Sequence, residues 1–195
     1  MIPARIDGED IARQVLADVA KGVASLRAER GVTPGLAIVL LGDTAAQARY
    51  AQKKLDAAAE VGILAQCFNL SWDVPEETLL ALLRDLSRNS RFHGLFLQLP
   101  LPGHIDLRVV AKTIEPGKDV DCMHPLNMGR LFAASDSFLP AAVAAAREIL
   151  VRSEVRVAGC HVVICSQAGA STNWALSVPV LLSDGCASVT MCSPS

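Results

Sequence analysis

Four polar side chains have the types and positions that a binding or catalytic cleft requires. Tyr50 and Lys54 are four residues apart in a segment with helical periodicity, so both project from one helix face. Gln98 follows a short apolar strand, at the edge where open α/β sheets place ligand-binding groups. Asp121 ends a polar loop, Lys118-Asp119-Val120-Asp121. A phenol, an amine, an amide and a carboxylate are therefore candidates to converge on one cleft.

Each of these side chains also has a plainer structural explanation. A Tyr–Lys pair on an amphipathic helix is commonly a surface contact with a solvated ammonium group. A glutamine at a strand end commonly bonds to the backbone, and a loop aspartate commonly caps a turn or a helix. Composition and spacing alone therefore support an α/β protein with a candidate polar cleft, and they do not choose between these explanations.

Helical and strand patterns alternate along the chain. Apolar residues from Ile11 to Leu26 recur at helical spacing after Asp7, which predicts a capped helix that ends near Gly31. A capping box is predicted over residues 73–76. Short apolar runs predict strands at 35–41, 64–70, 94–99, 162–165 and 187–192. Helical patterns predict further helices at 45–61, 76–86, 105–114, 139–151 and 174–182. This alternation predicts the α/β class, with parallel strands and right-handed crossovers.

Composition excludes several classes of protein. The 195 residues carry a formal net charge of −2 and no basic stripe, so nucleic acid is not an expected partner. No apolar run reaches the ~20 residues of a membrane span, and the N-terminus lacks a signal-peptide pattern, so we expect a cytoplasmic protein. The six cysteines include no Cys-x-x-Cys spacing, which predicts buried thiols rather than a metal site.

An ordered series of motifs resembles the bifunctional methylenetetrahydrofolate dehydrogenase/methenyltetrahydrofolate cyclohydrolase family. The resemblance extends from the first helix to about Pro140. The most specific blocks are Gln-Leu-Pro-Leu-Pro at 98–102 and Lys-Asp-Val-Asp at 118–121. The remaining matches are Thr33-Pro34-Gly35-Leu36-Ala37, Tyr50 with Lys54, Ala59-Glu60-Val61-Gly62-Ile63, His124-Pro125, Asn127, Gly129-Arg130-Leu131 and Phe138-Leu139-Pro140.

This resemblance implies an activity and a set of roles. The family interconverts methylene-, methenyl- and 10-formyl-tetrahydrofolate, with NAD(P) for the oxidation and water for the ring opening. By resemblance, Lys54 is the principal catalytic group, Tyr50 and Gln98 assist it, and Tyr50, Gln98, Pro100 and Asp121 bind the folate. Partial desolvation favours the neutral form of an amine and adjacent Lys53 acts in the same direction, so proton exchange near neutral pH is expected of Lys54. The family is commonly dimeric, which implies a homodimer.

The nucleotide-binding half departs from the family pattern. A phosphate-cradling Gly-Arg-Ser-x-x-Val-Gly-x-Pro turn becomes, by position, residues 166–174, without the aligned glycines, the arginine or the proline. The resemblance implies NADP as cofactor, with Ser166, Gln167 and Ala168 as candidate cofactor-binding residues. The chain ends just after its last predicted strand. We therefore expect a folate-binding catalytic domain at 1–140 and a partial Rossmann-like nucleotide-binding unit at 141–195.

Three functions are compatible with these observations. The first is an ordinary bifunctional folate enzyme, and the second is a cyclohydrolase with lost or weakened NAD(P) use. The third is a non-catalytic folate-binding or partner-binding paralogue. The Tyr50, Lys54, Gln98 and Asp121 set favours activity, whereas the altered loop at 166–174 argues against the dehydrogenase step.

Overall fold

The protein has the predicted α/β fold, with parallel strands and interleaved helices in a computed structural model that describes residues 6–42, 44–165 and 172–192. The helices are α1 Gly8–Arg30, α2 Ala45–Glu60, α3 Glu76–Arg88, α4 Leu107–Thr113, α5 Pro125–Phe132, α6 Ala141–Arg152 and α7 Ser177–Ser183. The strands are β1 Gly35–Leu41, β2 Leu64–Leu70, β3 Gly94–Leu97, β4 His161–Cys165 and β5 Ser188–Cys192. Two short 3₁₀ turns lie at Pro116–Lys118 and Thr172–Leu176.

One compact unit comprises residues 12–120 and is built on a three-stranded parallel sheet in the order β2-β1-β3. Strand β1 is central, and Ala37, Ile38 and Val39 are completely buried. Such a continuous apolar run is typical of a strand covered on both faces. Helix α3 contributes leucines at 79, 80, 83 and 86, whose helical spacing places them on its buried face. The sheet therefore holds the carboxyl ends of three strands at one edge.

At Gly35, the first residue of β1, the backbone lies very close to the backbone of Arg91. A Cβ atom at this position would lie 1.9 Å from the carbonyl oxygen of Arg91. The same backbone is tied to the start of β3, because Gly35 N donates to His93 Nδ1 at 3.0 Å and His93 N donates to the Gly35 carbonyl at 2.8 Å. The position therefore requires glycine for its lack of a side chain.

The second unit comprises, among the described residues, 6–11, 121–165 and 172–192. Strands β4 and β5 pair in parallel, with His161 opposite Ser188 and Cys165 opposite Cys192. Cys122 is buried here with Leu131 and Leu176, and its φ of 55° lies in the left-handed region. Glycine adopts that backbone conformation more readily than cysteine does. The domain division predicted at residue 140 stays a prediction.

Several local predictions were wrong. Helix α3 begins without a side-chain cap, because both residues of the predicted capping box have other partners. Asp73 accepts a hydrogen bond from the Ser71 hydroxyl, and Glu76 Oε2 accepts one from Asp106 N at 2.6 Å. Strand β3 ends at Leu97 rather than at residue 99. Helix α5 was not predicted, since its eight residues are too few to show a clear periodicity.

The cysteine prediction was only partly correct. The side chains of Cys122 and Cys186 are buried, and that of Cys67 is partly buried. The prediction was wrong for the three exposed cysteines, Cys160, Cys165 and Cys192. Within the described ranges, no group of three or more His, Cys, Asp and Glu side chains is arranged to hold a metal ion. In the same residues, no helix combines the length and apolarity needed to cross a bilayer.

Candidate active site

A cavity of about 570 Å³ opens at the carboxyl edge of the three-stranded sheet. Gly42 follows β1, Trp72 follows β2 and Gln98 follows β3, so all three strands contribute to it. This edge is where open parallel sheets bind ligands. The lining residues are Gly42, Thr44, Gln47, Tyr50, Trp72, Gln98, Leu99 and Pro100.

Gln98 and Lys54 form the polar contact beside this cavity. Lys54 Nζ donates to Gln98 Oε1 at 2.9 Å, which links α2 to the end of β3. Gln98 Nε2 donates to the Leu99 carbonyl at 2.9 Å. Because the two ends of the amide have different partners, its orientation is defined and its oxygen faces the lysine. Gln98 thus bonds to the backbone, as its plainer structural explanation predicts, and its side-chain oxygen also positions Lys54.

Aromatic rings surround the Lys54 ammonium group. Its Nζ lies 4.7 Å from the centroid of the Phe96 ring and 5.8 Å from that of Tyr50. Ring faces attract a cation at these distances, so both contacts and the Gln98 oxygen hold the nitrogen in place. The Lys54 side chain is partly buried, whereas neighbouring Lys53 is exposed. The structure therefore separates two adjacent lysines into one at the cavity and one in solvent.

Of the predicted folate-binding residues, Tyr50, Gln98 and Pro100 all line this cavity. The Tyr50 side chain is 61% exposed, so its ring is available to a ligand. The four-residue spacing of Tyr50 and Lys54 on α2 brings both side chains to one place, as the helical period predicts.

Asp121 belongs to the other compact unit. Its Oδ1 accepts a hydrogen bond from Ala141 N at 2.8 Å, at the first residue of α6. A carboxylate at this place satisfies a backbone donor that has no partner within the helix, and it interacts favourably with the helix dipole. The helix-capping explanation therefore applies to Asp121, and its role in folate binding stays a prediction.

The sequence analysis gave no site role to five lining residues, Gly42, Thr44, Gln47, Trp72 and Leu99. Gln47 Nε2 donates to the Leu41 carbonyl at 3.0 Å, and its Oε1 accepts from Thr44 Oγ1 at 2.8 Å. These bonds tie Gln47 of α2 to the last residue of β1 and to Thr44. Trp72 was overlooked although it lies two residues after β2, where the rule that ligands bind at strand carboxyl ends points directly to it.

The predicted cofactor-binding residues Ser166, Gln167 and Ala168 lie outside the described residues. The strands on either side of the predicted nucleotide site end in Cys165 and Cys192, whose Sγ atoms are 3.3 Å apart. This contact raises the pKa of the Cys192 thiol, because a hydrogen bond that its S–H donates to Cys165 is lost when the thiol ionises. Neither Cys165 nor Cys192 carries a positive charge that would pair with a phosphate group.

Comparisons with known proteins agree with this architecture. The model of the tetrahydrofolate dehydrogenase/cyclohydrolase catalytic domain matches residues 6–121. The bifunctional protein FolD of Heliobacterium modesticaldum is 45% identical over 159 residues, which cover 82% of this chain and 55% of that protein. The chain thus spans little more than half the length of this relative.

Two solved structures have the same fold. The FolD methylenetetrahydrofolate dehydrogenase/cyclohydrolase of Campylobacter jejuni superposes with a TM-score of 0.89 at 30% identity, over 96% of this chain and 66% of that one. The dehydrogenase-cyclohydrolase of Trypanosoma brucei, complexed with NADP cofactor and inhibitor, gives a TM-score of 0.86 at 28% identity, over 95% of this chain and 63% of that one. With a family match over more than half of its residues, this chain belongs to the tetrahydrofolate dehydrogenase/cyclohydrolase family.

Proposed function

We propose that this protein acts in one-carbon folate metabolism, chiefly as a methenyltetrahydrofolate cyclohydrolase. The observation that carries this proposal is the hydrogen bond between Lys54 Nζ and Gln98 Oε1, 2.9 Å long, beside a cavity lined by Tyr50 and Pro100. A positioned amine next to a cavity with an aromatic wall supplies what the hydrolysis needs.

The reaction adds water to the carbon that bridges two nitrogens in the methenyl group. The water oxygen bonds to this cationic carbon and releases its first proton, which leaves a neutral hydroxyl adduct. One carbon–nitrogen bond then breaks, the leaving nitrogen gains a proton, the hydroxyl gives up its own proton, and a formyl group remains on the other nitrogen. In this proposal Lys54 exchanges the proton with the reacting atoms, and Gln98 keeps the amine aimed at them. Hydrolysis requires no redox cofactor.

Folate binding is proposed to use the four residues that the resemblance implies. Tyr50 offers an exposed ring face, while Pro100 and Gln98 offer an apolar surface and an amide. The Asp121 carboxylate accepts from Ala141 N through Oδ1. A carboxylate has further lone pairs, so the same group is proposed to accept N–H bonds from the amino-pyrimidine edge of the pterin.

The dehydrogenase step is proposed to be very weak, and NADP to bind weakly. The Trypanosoma brucei relative is complexed with NADP, but the phosphate-binding glycines and arginine of the family are replaced within residues 166–174 here. The strand ends at Cys165 and Cys192 offer no compensating cation.

A cytoplasmic homodimer is the proposed assembly, as the resemblance implies. Among the described residues, β4 and β5 form a two-stranded sheet, so each strand has one edge without a strand partner there. Such edges pair readily with another chain. We also propose residues 1–140 as the folate-binding domain and 141–195 as a partial Rossmann-like unit.

The decisive experiment follows the loss of methenyltetrahydrofolate absorbance with the purified chain, corrected for spontaneous hydrolysis. A catalysed rate proportional to protein concentration is the expected result. Calorimetry with 5-formyltetrahydrofolate, a stable folate, is run in parallel. Folate binding without catalysed hydrolysis would refute the cyclohydrolase and leave the non-catalytic folate-binding protein, whereas absence of both would refute both functions.

A further inference from the structure

Trp72 is a second aromatic wall of the candidate active site, and the proposed function gives it no role. It lies two residues after β2 and lines the same cavity as Tyr50. Its side chain is 46% exposed, although a tryptophan of this size is highly buried on average. An indole left open at a cavity wall presents a large apolar face to a ligand.

The backbone beneath Trp72 fixes its position. Gly42 has a φ of +92°, which side chains other than glycine rarely adopt. A Cβ atom at Gly42 would lie 3.3 Å from Trp72 Cε3 and 3.2 Å from Gln47 Oε1. Gly42 N also donates to the Leu70 carbonyl at 2.9 Å, which ties the ends of β1 and β2 together. The indole therefore packs on a defined backbone at the strand ends.

The chemistry of the lining indicates which part of a folate this wall suits. The described residues that line the cavity include two aromatic rings, two side-chain amides and two hydroxyls; none of them is charged, and the Lys54 ammonium group lies beside the cavity at Gln98. A pterin edge needs a charged or strongly polar partner for its aminopyrimidine group. A neutral aromatic ring that bears an amide instead needs ring faces and amide partners, and this wall offers both.

We propose that Trp72 is a folate-binding residue that stacks, together with Tyr50, on the aminobenzoyl ring of the substrate. This inference rests on the proposed folate function of the cavity. It makes the protein selective for folates over reduced pterins that lack the aminobenzoyl-glutamate arm. Trp72 takes no part in proton transfer, so its removal raises KM and leaves kcat close to that of the unmodified chain.

The first test compares two ligands by calorimetry, 5-formyltetrahydrofolate and a 5-formyltetrahydropterin without the aminobenzoyl arm. Trp72→Ala is expected to bind the folate about tenfold more weakly, equivalent to ~1.4 kcal/mol, and to bind the pterin unchanged. Trp72→Phe keeps a ring face and is expected to recover most of the affinity. Equal loss for both ligands, or no loss for the folate, would overturn the proposal.

The second test uses tryptophan fluorescence. The chain has two tryptophans, so Trp174→Phe leaves Trp72 as the only emitter. Titration of this variant with p-aminobenzoyl-glutamate is expected to change the emission and to saturate, whereas Trp72→Phe is expected to respond little. An unchanged emission from Trp72 at concentrations where calorimetry detects binding would contradict stacking.

The two hypotheses fail in different ways. If the unmodified chain binds no 5-formyltetrahydrofolate, the folate function itself is refuted, and the role of Trp72 falls with it. If the unmodified chain binds the folate and Trp72→Ala binds it equally well, only the role of Trp72 is refuted. Circular dichroism melting of each variant separates a loss of binding from a loss of folding.

Discussion

Lys54 Nζ and Gln98 Oε1 are 2.9 Å apart, although 44 residues separate them in the sequence. The contact joins the middle of α2 to the residue that follows β3. Gln98 is held in turn by its bond to the Leu99 carbonyl. The lysine is therefore positioned by backbone geometry at the sheet edge as well as by its own helix, which is the arrangement that a proton-transferring amine requires.

Lys54→Met is expected to lower cyclohydrolase kcat at least ~100-fold, because positioned acid–base groups contribute roughly that much or more. Methionine keeps a similar length and loses the amine. Lys53→Met is the matched control, since Lys53 is the adjacent lysine and is exposed. Initial rates of methenyltetrahydrofolate hydrolysis measure both variants. If Lys54→Met hydrolyses at the unmodified rate, Lys54 is not the catalytic group.

Two substitutions at Asp121 separate pterin binding from helix capping. Asp121→Asn keeps an oxygen for Ala141 N and loses the charge, so it is expected to weaken folate binding at least about tenfold at nearly unchanged stability. Asp121→Ala removes both functions, so it is also expected to lower the stability of the fold. Calorimetry and thermal melting measure the two effects. Unchanged affinity in Asp121→Asn would restrict Asp121 to capping α6.

The sequence predicted those parts of the fold that depend on periodicity. Strand β1 could be predicted because a continuous apolar run is bounded by Pro34 and Gly42, and its predicted limits of 35–41 are those observed. The absence of a side-chain cap on α3 could not be predicted, because the Ser71 hydroxyl donates to Asp73, the expected cap. A local motif does not reveal such competition between side chains.

The same distinction holds for the candidate site. The helical period brought Tyr50 and Lys54 to one face, and the strand-end rule placed Gln98 beside them. The strand-end rule also points to Trp72, but its place in the same cavity as Tyr50 depends on the strand order β2-β1-β3, which puts the end of β2 beside Gly42. Sheet order depends on contacts between distant segments, and no local pattern encodes it.

Gly35→Ala is expected to destabilise the 12–120 unit by roughly 1–3 kcal/mol or more, because the new methyl group overlaps the Arg91 carbonyl and the backbone must move. Gly117→Ala is the matched control, since a Cβ atom at Gly117 meets nothing within 4 Å. Urea unfolding measures the free energy of unfolding of both variants. Equal stabilities would show that β1 and the start of β3 separate without cost.

Alkylation tests the thiol pair at the ends of β4 and β5. The hydrogen bond that the Cys192 S–H donates to Cys165 raises the pKa of Cys192, so less thiolate is present at neutral pH and iodoacetamide should react slowly with Cys192. Cys165→Ala removes this bond, which lowers the pKa of Cys192 toward its ordinary value and speeds its alkylation. Cys160→Ala is the control, because Cys160 is exposed and its thiol donates to the Arg156 carbonyl. Peptide mass spectrometry measures each rate. A slower reaction of Cys192 in Cys165→Ala would show that Cys165 lowers the pKa of Cys192 instead of raising it.

The nucleotide loop gives the last prediction. The family motif starts with Gly-Arg-Ser where this chain has Ser166-Gln167-Ala168, so neither a close backbone approach to phosphate nor a guanidinium partner is encoded there. NADPH formation from methylenetetrahydrofolate is therefore expected to be much slower than the hydrolysis that the same preparation catalyses.

The triple variant Ser166→Gly, Gln167→Arg and Ala168→Ser restores the start of the motif. Calorimetry is expected to show tighter NADP binding by this variant, and the affinity should fall as salt is added, because the gain is electrostatic. Ser166→Ala in the unmodified loop is the control and should leave NADP binding as weak as before. Robust NADPH formation by the unmodified chain would mean that Ser166 to Ala168 hold phosphate without glycine or arginine, and would restore the full bifunctional activity.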